Sequence, residues 1–545
     1  MPGFRIATHP GVLQNALVHS KSDLVVFRLF DFLHRRTPWH RRLWTIGTVL
    51  SLQEVVEYSR IRRESRTPAD GLVYVCKAAK REVAHDPAAA AYIGEITAVL
   101  DRGDQMSADD ENRLMHLSAR VDERYLEVWA GAIELPDSPP VERTARSIAS
   151  HLLDKGFSSD HLYRWLDAAR HRPEVSHSDL IREGHEMCET TRSRRYDVLV
   201  PCFVPGIPTK LPPAVAWLSA ELAAARIQEI VGDAKKPRHA GAFVVSVNER
   251  DPWAAVDAAG HLMARVAARV QVGRPGPDTV RTSGVAFVIG NNRTFRLDPP
   301  RRQLDIHSLY RQEKLFAVDP DDFPQLDDAL ELAAYLETGS PGAAVTGGWA
   351  AIEGLLMYPG ERGHVIAADR LAAIVACSVG RAELTPLAHT HADMATDELA
   401  TQLKALPAEA SNYQRVLLAE NFVRDGGVLV SASASDKAAF DRVAGIVSEP
   451  HAVLERVRTY VQDSLRRLYN QRNLVMHGGS FRSCALGATL RTTPPLVGAG
   501  LDRVVHAQLR RYETHTALEL SARAHAELDL LKGAGAGRVV DLLGR

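Results

Sequence analysis

Three side chains that could do chemistry lie within six residues of one another, just before a double glycine. The stretch YNQRNLVMHGGSF, residues 469–481, contains Arg472, Asn473 and His477 in otherwise apolar surroundings. Arginine stays charged and can bind two oxygens of a phosphate, and histidine can give or accept a proton near neutral pH. Asn473 and His477 are four residues apart, so a helix would place them on one face. The three residues could therefore bind an anion and transfer a proton beside it.

The spacing of Arg472 and His477 is by itself a weak signal. The same spacing occurs at Arg35/His40, Arg146/His151, Arg172/His177, Arg302/His307 and Arg510/His515. A structural interpretation also exists, because an arginine can extend its charge out of an apolar helix face and a histidine can stabilise a helix C-terminus. What distinguishes residues 472–477 is the helix that leads to them.

Apolar residues at three- and four-residue spacings predict one long helix from Pro450 to His477. The buried stripe of this helix is Leu454, Val457, Val461, Leu465 and Leu468. Ser448 is the predicted N-cap, and Gly478 and Gly479 are predicted to end the helix. Arg472 continues the stripe, where an arginine is rare unless it is paired or lines a cleft.

The segment around this helix is basic, although the whole chain has a net charge of −1. Between Pro450 and Glu513 the sequence has ten arginines and four acidic residues, at 455, 463, 502 and 513. Ten minus four gives a net charge of +6 for this segment. The arginines are Arg456, Arg458, Arg466, Arg467, Arg472, Arg482, Arg491, Arg503, Arg510 and Arg511. Such a patch can attract phosphates, or it can be a solvated helix face with no ligand. The sequence leaves both interpretations open.

The 545 residues divide into three regions by pattern, and the fold class they predict is mainly α. Residues 1–195 are predicted to be a helical accessory or regulatory region, which could receive an unidentified trigger or regulatory partner. Residues 196–324 contain the strand patterns YDVLVPCFV, AFVVSV and GVAFVIG with one helix between them, which predicts a small α/β unit. Residues 325–545 return to helical periodicity and are predicted to be an all-helical domain.

Several helix ends are predicted from single residues. Gly156 is expected to stop a helix, and Ser159 to cap the next one. The segment HTHAD, residues 389–393, follows Pro386 and is expected between helices. Its H-x-H-x-D spacing is compatible with a metal site, but a polar helix start is the favoured interpretation. A last helix is expected over roughly residues 498–531.

The composition argues against several classes of function. No apolar run is long enough to span a bilayer, and the N-terminus has no secretory signal pattern, so we expect a cytoplasmic protein without membrane contact. The five cysteines are scattered and include no C-x-x-C, which predicts reduced thiols and no cysteine zinc site. Phosphate-binding glycine motifs are missing, so we expect no nucleotide cofactor. The sequence has no convincing cluster of acidic, histidine or cysteine residues, so we expect no metal.

Two segments resemble a known family. LRRLYNQRNLVMHGG is similar to the R-N-x-x-x-H signature of HEPN domains, especially the Apea-like branch, and GWAAIEGLL resembles the helix that opens those domains. The resemblance covers roughly residues 325–535. It implies a helical bundle that pairs into a homodimer and acts as a metal-independent endoribonuclease in bacterial defence or toxin systems. By position it implies catalytic roles for Arg472, Asn473 and His477, and a role for Glu353 in orienting Arg472.

The implied chemistry is compatible with these side chains. The 2′-hydroxyl of RNA can attack the adjacent phosphorus if protons are transferred and the developing charge is balanced. One chain supplies one motif histidine, so a two-fold homodimer would supply the second acid–base group. The alternative is a non-catalytic HEPN module that binds RNA or a protein partner, as some members without the motif do.

Overall fold

A computed structural model describes most of the chain. The described residues are 20–64, 69–172, 176–232, 237–273, 279–297, 302–318, 324–363, 365–407, 410–476, 482–509, 516–533 and 537–544. Within them the protein is mainly helical, with twenty-one α-helices and one six-stranded sheet, which confirms the predicted mainly-α class. None of the described helices combines the length and the apolarity that crossing a bilayer requires.

Helices alone form the N-terminal region. They are α1 Lys21–Leu33, α2 Thr48–Glu64, α3 Ala69–Val83, α4 Ile93–Leu100, α5 Ala108–Glu123, α6 Tyr125–Ala132, α7 Val141–Asp154, α8 Ser159–Ala169 and α9 His177–Thr190. Gly156 follows α7 with a φ of +92°, as a helix stop requires. The N-cap of α8 is Ser158, whose side chain accepts from the His161 N–H, so the prediction of Ser159 was wrong by one residue.

The middle region is an antiparallel sheet with two helices. Its strands and helices are β1 Arg194–Phe203, β2 Val215–Ser219, α10 Ala220–Val231, β3 Gly241–Glu249, α11 Pro252–Gly273, β4 Arg281–Thr282, β5 Val285–Val288 and β6 Thr294–Arg296. The strand order is β2-β3-β1-β5-β6, with β4 also on β1. Alternate residues of β1 pack on opposite faces, Val198 with α11 and Leu199 with α10. Both faces of the central strand are therefore covered.

The C-terminal region is again helical. Its helices are α12 His307–Arg311, α13 Pro324–Thr338, α14 Pro341–Leu356, α15 Val365–Met394, α16 Glu398–Ala405, α17 Asn412–Arg424, α18 Ala434–Ser448, α19 Pro450–Met476, α20 Leu486–Leu509 and α21 Ala517–Leu530. The single helix expected over residues 498–531 is two helices, α20 and α21. Ser448 is the last residue of α18, so it is not the N-cap of α19.

The predicted stripe of α19 is buried inside this one chain. Leu454, Val461, Leu465 and Leu468 have no exposed surface, and Val457 packs beside them. They share an apolar cluster with α14, α15 and α20. The predicted burial of this stripe is therefore confirmed, and the stripe offers no surface for a dimer contact because its own chain already covers it.

Candidate functional site

Arg472 and Asn473 lie on the last two turns of α19 and contact each other. The guanidinium Nη1 of Arg472 donates to Asn473 Oδ1 at 3.0 Å. Arg472 is half-buried, whereas only 2% of Asn473 is exposed. His477, Gly478 and Gly479 lie outside the described residues, so the structure describes two of the three motif side chains.

The second segment of the family resemblance packs directly on the motif helix. Trp349 of α14 is fully buried, and its ring lies against Tyr469 of α19 with centroids 4.9 Å apart. Glu353 is half-buried one helical turn beyond Trp349. Since Tyr469 is one turn before Asn473, helix α14 lies beside the turn that leads into the motif. The sequence could predict this helix but not its contact with Tyr469.

A carboxylate that the sequence analysis missed fixes the same side of α19. Asp369, near the start of α15, accepts from Gln462 Nε2 at 2.6 Å and from Arg466 Nε and Nη2 at 2.8 and 2.5 Å. Residues 462, 466, 469 and 473 follow one another at helical spacing. Asp369 therefore anchors the face of α19 on which Asn473 lies.

An adjacent side of α19 is held by the N-terminal region. Arg467 Nε donates to both carboxylate oxygens of Glu54 at 3.0 Å, and both side chains are buried. Arg81 donates to Asp463 at 2.5 Å, and the hydroxyl of Tyr74 donates to the same carboxylate. Glu54 raises the pKa of Arg467 despite the opposing effect of burial, so the guanidinium remains charged.

The buried contact with the N-terminal region extends to the motif itself. Leu474, the residue after Asn473, is 2% exposed and belongs to the apolar core of helices α1–α9. Val475 belongs instead to the core of the C-terminal helices. The last turn of α19 thus lies at the boundary of two hydrophobic cores. This explains why the most apolar part of the helix is also the part that bears the motif.

Intramolecular pairs neutralise much of the basic segment. Arg466 and Arg467 pair with carboxylates as described above. Arg458 pairs with Glu455 at 2.7 Å, and Arg491 pairs with Asp154 at 2.6 Å. Arg456 and Arg482 are exposed, while Arg510 and Arg511 lie outside the described residues. Three acids from outside the segment, Asp369, Glu54 and Asp154, therefore offset three of its six excess positive charges, which favours the structural interpretation for the paired arginines.

The HTHAD segment forms the last turns of α15 and not a helix start. His391 is fully buried, with Nδ1 accepting from the Val430 N–H at 3.0 Å and Nε2 3.0 Å from Asp397 Oδ1. Because Nδ1 accepts, Nε2 carries the proton and donates to Asp397. Both ring nitrogens are thus engaged. No group of three or more histidine, cysteine or acidic side chains in the described part of the chain is arranged to hold a metal ion.

Comparison with known proteins found no matching family model, no matching curated protein and no matching solved structure. The chemistry of the site is therefore argued from its own residues. Arg472 supplies a fixed positive charge, and Asn473 holds its guanidinium by one hydrogen bond. Such an arrangement can orient an anion such as a phosphodiester, provided that a nearby group transfers protons.

Proposed function

We propose that this protein is a metal-independent endoribonuclease of the HEPN type, an effector in bacterial defence or stress response that needs no cofactor. One observation supports the proposal most: Arg472 and Asn473 are hydrogen-bonded on the final turns of α19, beside the helix that bears Trp349 and Glu353. His477 follows Met476 directly in the sequence. We place the protein in the cytoplasm, in keeping with its five unpaired cysteines.

In the proposed reaction the 2′-hydroxyl of RNA attacks the adjacent phosphorus and the 5′-oxygen leaves. His477 transfers protons, and Arg472 binds two phosphate oxygens as negative charge develops on them. Asn473 keeps the guanidinium in position through its side-chain oxygen, and Glu353 is proposed to help orient it. The upstream product then ends in a 2′,3′-cyclic phosphate, and the downstream product begins with a 5′-hydroxyl.

The proposal includes a homodimer through the C-terminal helices, because the reaction needs an acid and a base and each chain supplies one His477. The dimer contact has to use surfaces other than the buried stripe of α19. Light scattering at micromolar protein tests this part. A monomer that cleaves RNA would remove the second histidine from the mechanism.

Cleavage of total RNA in EDTA tests the activity, and mapping of both product ends tests the mechanism. We expect His477→Ala to abolish cleavage. We expect Arg472→Lys to lower the rate about a hundred- to a thousandfold, because an ammonium cannot make the planar two-point contact. Arg456→Lys is the matched control, an exposed arginine on the same helix that should retain full activity.

Two results would contradict the mechanism. DNA of the same sequence should be inert because it has no 2′-hydroxyl, so its cleavage would exclude the proposed nucleophile. A 5′-phosphate product that requires Mg²⁺ would indicate metal-assisted hydrolysis instead.

A second candidate is a non-catalytic module that binds RNA or a protein partner. The observation that favours it is the internal pairing of Arg458, Arg466, Arg467 and Arg491, which reduces the positive charge that is free to attract an RNA substrate. This candidate predicts binding that His477→Ala leaves unchanged, with intact RNA recovered from the complex. The same cleavage assay therefore separates the two functions.

A further inference from the structure

A cavity of about 630 Å³ lies where the three regions of the protein meet. Its walls come from the ends of α1 and α7, from α11 beside the sheet, and from the first turns of α20. A second cavity of about 550 Å³ adjoins it and shares Phe157 and His261. Pockets for small molecules have volumes of about 300–1,000 Å³ and often lie at such junctions. We call the first one the junction cavity.

Two arginines of the junction cavity are partly desolvated and hydrogen-bonded to backbone carbonyls. Arg42 donates to the carbonyl oxygens of Thr37 and Arg35 at 2.8 and 2.6 Å, and Arg302 donates to the Leu336 carbonyl at 3.1 Å. Both are half-buried, and neither is hydrogen-bonded to an acid among the described residues. Burial lowers the pKa of Arg42 to about 10, although Asp305 and Glu337 oppose the shift, and burial also lowers that of Arg302, although Glu337 opposes it. Two such cations would gain from an anionic ligand.

The lining of the junction cavity contains more cations than anions. Its arginines are Arg35, Arg42, Arg302 and Arg491, and its acidic residues are Asp154 and Asp257. Asp154 is fully engaged, with one oxygen on Arg491 at 2.6 Å and the other on the Gly47 N–H at 2.7 Å. Burial raises the pKa of Asp257 to about 6, although Arg35 opposes the shift, so this carboxylate is largely ionised only above that pH. Asp305 and Glu337 attract Arg42 from outside the lining, so carboxylates offset part of the positive charge but not all of that in the lining.

The histidines in the cavity wall also indicate positive potential. Burial lowers the pKa of His34, and Arg36 and Arg42 lower it further. Burial lowers the pKa of His261 as well, with Arg302 and Arg265 adding to the effect. In both cases the neighbouring arginines make the protonated ring less favourable. An anion bound among these groups would relieve the repulsion.

Part of the cavity wall is apolar, and one residue in it is held in a strained conformation. Leu43, Leu153 and Leu486 are buried hydrophobic side chains in its wall. Gln303, beside Arg302, has a φ of +63°, a left-handed conformation that is uncommon for a residue other than glycine. Strained residues of this kind are frequent where a protein clamps a ligand. The site thus offers a cationic part and an apolar part.

We propose that the junction cavity binds a phosphorylated small molecule of nucleotide size, with its phosphate on Arg42 and Arg302 and its body against Leu153 and Leu486. Guanidinium groups bind phosphate through parallel hydrogen bonds, and the apolar wall accommodates a planar or apolar body. A ligand here touches all three regions at once, so it also stabilises their arrangement by mass action. This inference does not depend on the proposed ribonuclease activity.

Titration calorimetry on the full-length protein tests the proposal with ribonucleoside mono- and triphosphates, inorganic pyrophosphate and adenosine. We expect saturable binding of a nucleotide at one site per chain and weaker binding of pyrophosphate. Adenosine, which has no phosphate, should not bind detectably. We also expect the nucleotide to raise the unfolding temperature of the protein.

Two variants locate the binding site. Gly487 lines the cavity, and a Cβ added there meets no atom within 4 Å, so Gly487→Phe should fold and block the ligand sterically. Arg302→Ala should weaken binding by about tenfold or more, as loss of a charge-assisted hydrogen bond does. The matched controls are Gly445→Phe, at a helical glycine with equally open space, and Arg36→Ala, at an exposed arginine outside the lining. Both controls should bind like the parent protein.

Any one of three results would overturn the proposal. The first is that no phosphate-bearing probe binds at millimolar concentration, and the second is that adenosine binds as tightly as the nucleotides. The third is that Gly487→Phe and Arg302→Ala both bind nucleotide like the parent protein. Each of these can be observed whether or not the protein cleaves RNA, because the readout is binding alone.

Discussion

The two long faces of α19 are attached to the protein in different ways. One face, with Leu454, Val461 and Leu468, packs into the apolar core of the C-terminal helices. The other face presents Asp463 and Arg467 to acids, a phenol and an arginine of the N-terminal helices. Apolar burial stabilises in proportion to area, whereas a buried ion pair contributes little net stability but is costly to break. The first face therefore supplies stability, and the second fixes which surface docks there.

The largest effect is expected from breaking the buried pair of the charged face. Glu54→Ala removes the hydrogen-bonded counter-charge of the Arg467 guanidinium, which is 7% exposed, and leaves it only the Coulombic attraction of Asp463. We expect the free energy of unfolding to fall by about 3–5 kcal/mol, which urea denaturation measures.

A double variant shows whether the cost arises from the unpaired charge. Glu54→Leu with Arg467→Met removes both ions and keeps similar volume, so most of the lost stability should return. If the double variant is as unstable as Glu54→Ala, the pair contributes through packing, and the contrast between the two faces is lost.

The next largest effect belongs to the apolar face. Leu468→Ala removes a side chain with no exposed surface from the core shared with α14 and α15. We expect a loss of about 3 kcal/mol, from lost transfer free energy and the cavity left behind. Leu530→Ala is the control, since that leucine is 75% exposed, and its effect on urea denaturation should be small. Equal losses in the two variants would contradict the placement of the stripe.

A pH-dependent loss of stability is expected where His40 of the N-terminal region meets Glu383 of the C-terminal region. His40 is buried, and its Nε2 lies 3.9 Å from Glu383 Oε2. Burial lowers the pKa of His40 to about 4, although Glu383 opposes the shift. Between pH 6.5 and 4 the unfolded chain binds this proton and the folded protein does not, so stability falls as the pH falls. The loss should reach about 2 kcal/mol by pH 5.

Unfolding measured at pH 7 and pH 5 isolates the contribution of His40. His40→Gln should remove that part of the pH dependence, whatever its effect on stability at pH 7. The exposed His116→Gln serves as the control and should keep the pH dependence of the parent protein. A His40→Gln protein with an unchanged difference between the two pH values would show that other groups are responsible.

The sequence predicted the apolar face well because helical spacing is local information. Leu454, Leu465 and Leu468 are buried as expected, and Arg472 and Asn473 lie on the last turns of the predicted helix. The charged face could not be predicted, because Glu54 is 413 positions from Arg467. Which acid neutralises a given arginine depends on the tertiary arrangement. For the same reason, the sequence could not identify Asp369 as part of the candidate site.

Prolines explain two of the misplaced helix boundaries. Pro386 was expected to separate helices, yet it lies inside α15, and Pro494 and Pro495 lie inside α20. Proline removes a helical hydrogen bond and is a reasonable stop signal in an isolated segment. Here Pro494 and Pro495 are buried among other helices, so tertiary packing outweighs the local cost. The start of α20 at Leu486 was missed for this reason.

The smallest effect is expected from the exposed ion pair on the same helix. Arg458 Nη2 and Glu455 Oε2 are 2.7 Å apart, but the side chains are 27% and 29% exposed, so water screens them even in the folded state. Glu455→Ala should lower the free energy of unfolding by less than about 1 kcal/mol, and the loss should shrink further in 1 M salt. The pair has the same two residue types as Glu54 and Arg467, and Arg458 and Arg467 lie on the same helix, so the main difference is burial. If Glu455→Ala costs as much as Glu54→Ala at both salt concentrations, burial does not explain the stability of the charged face.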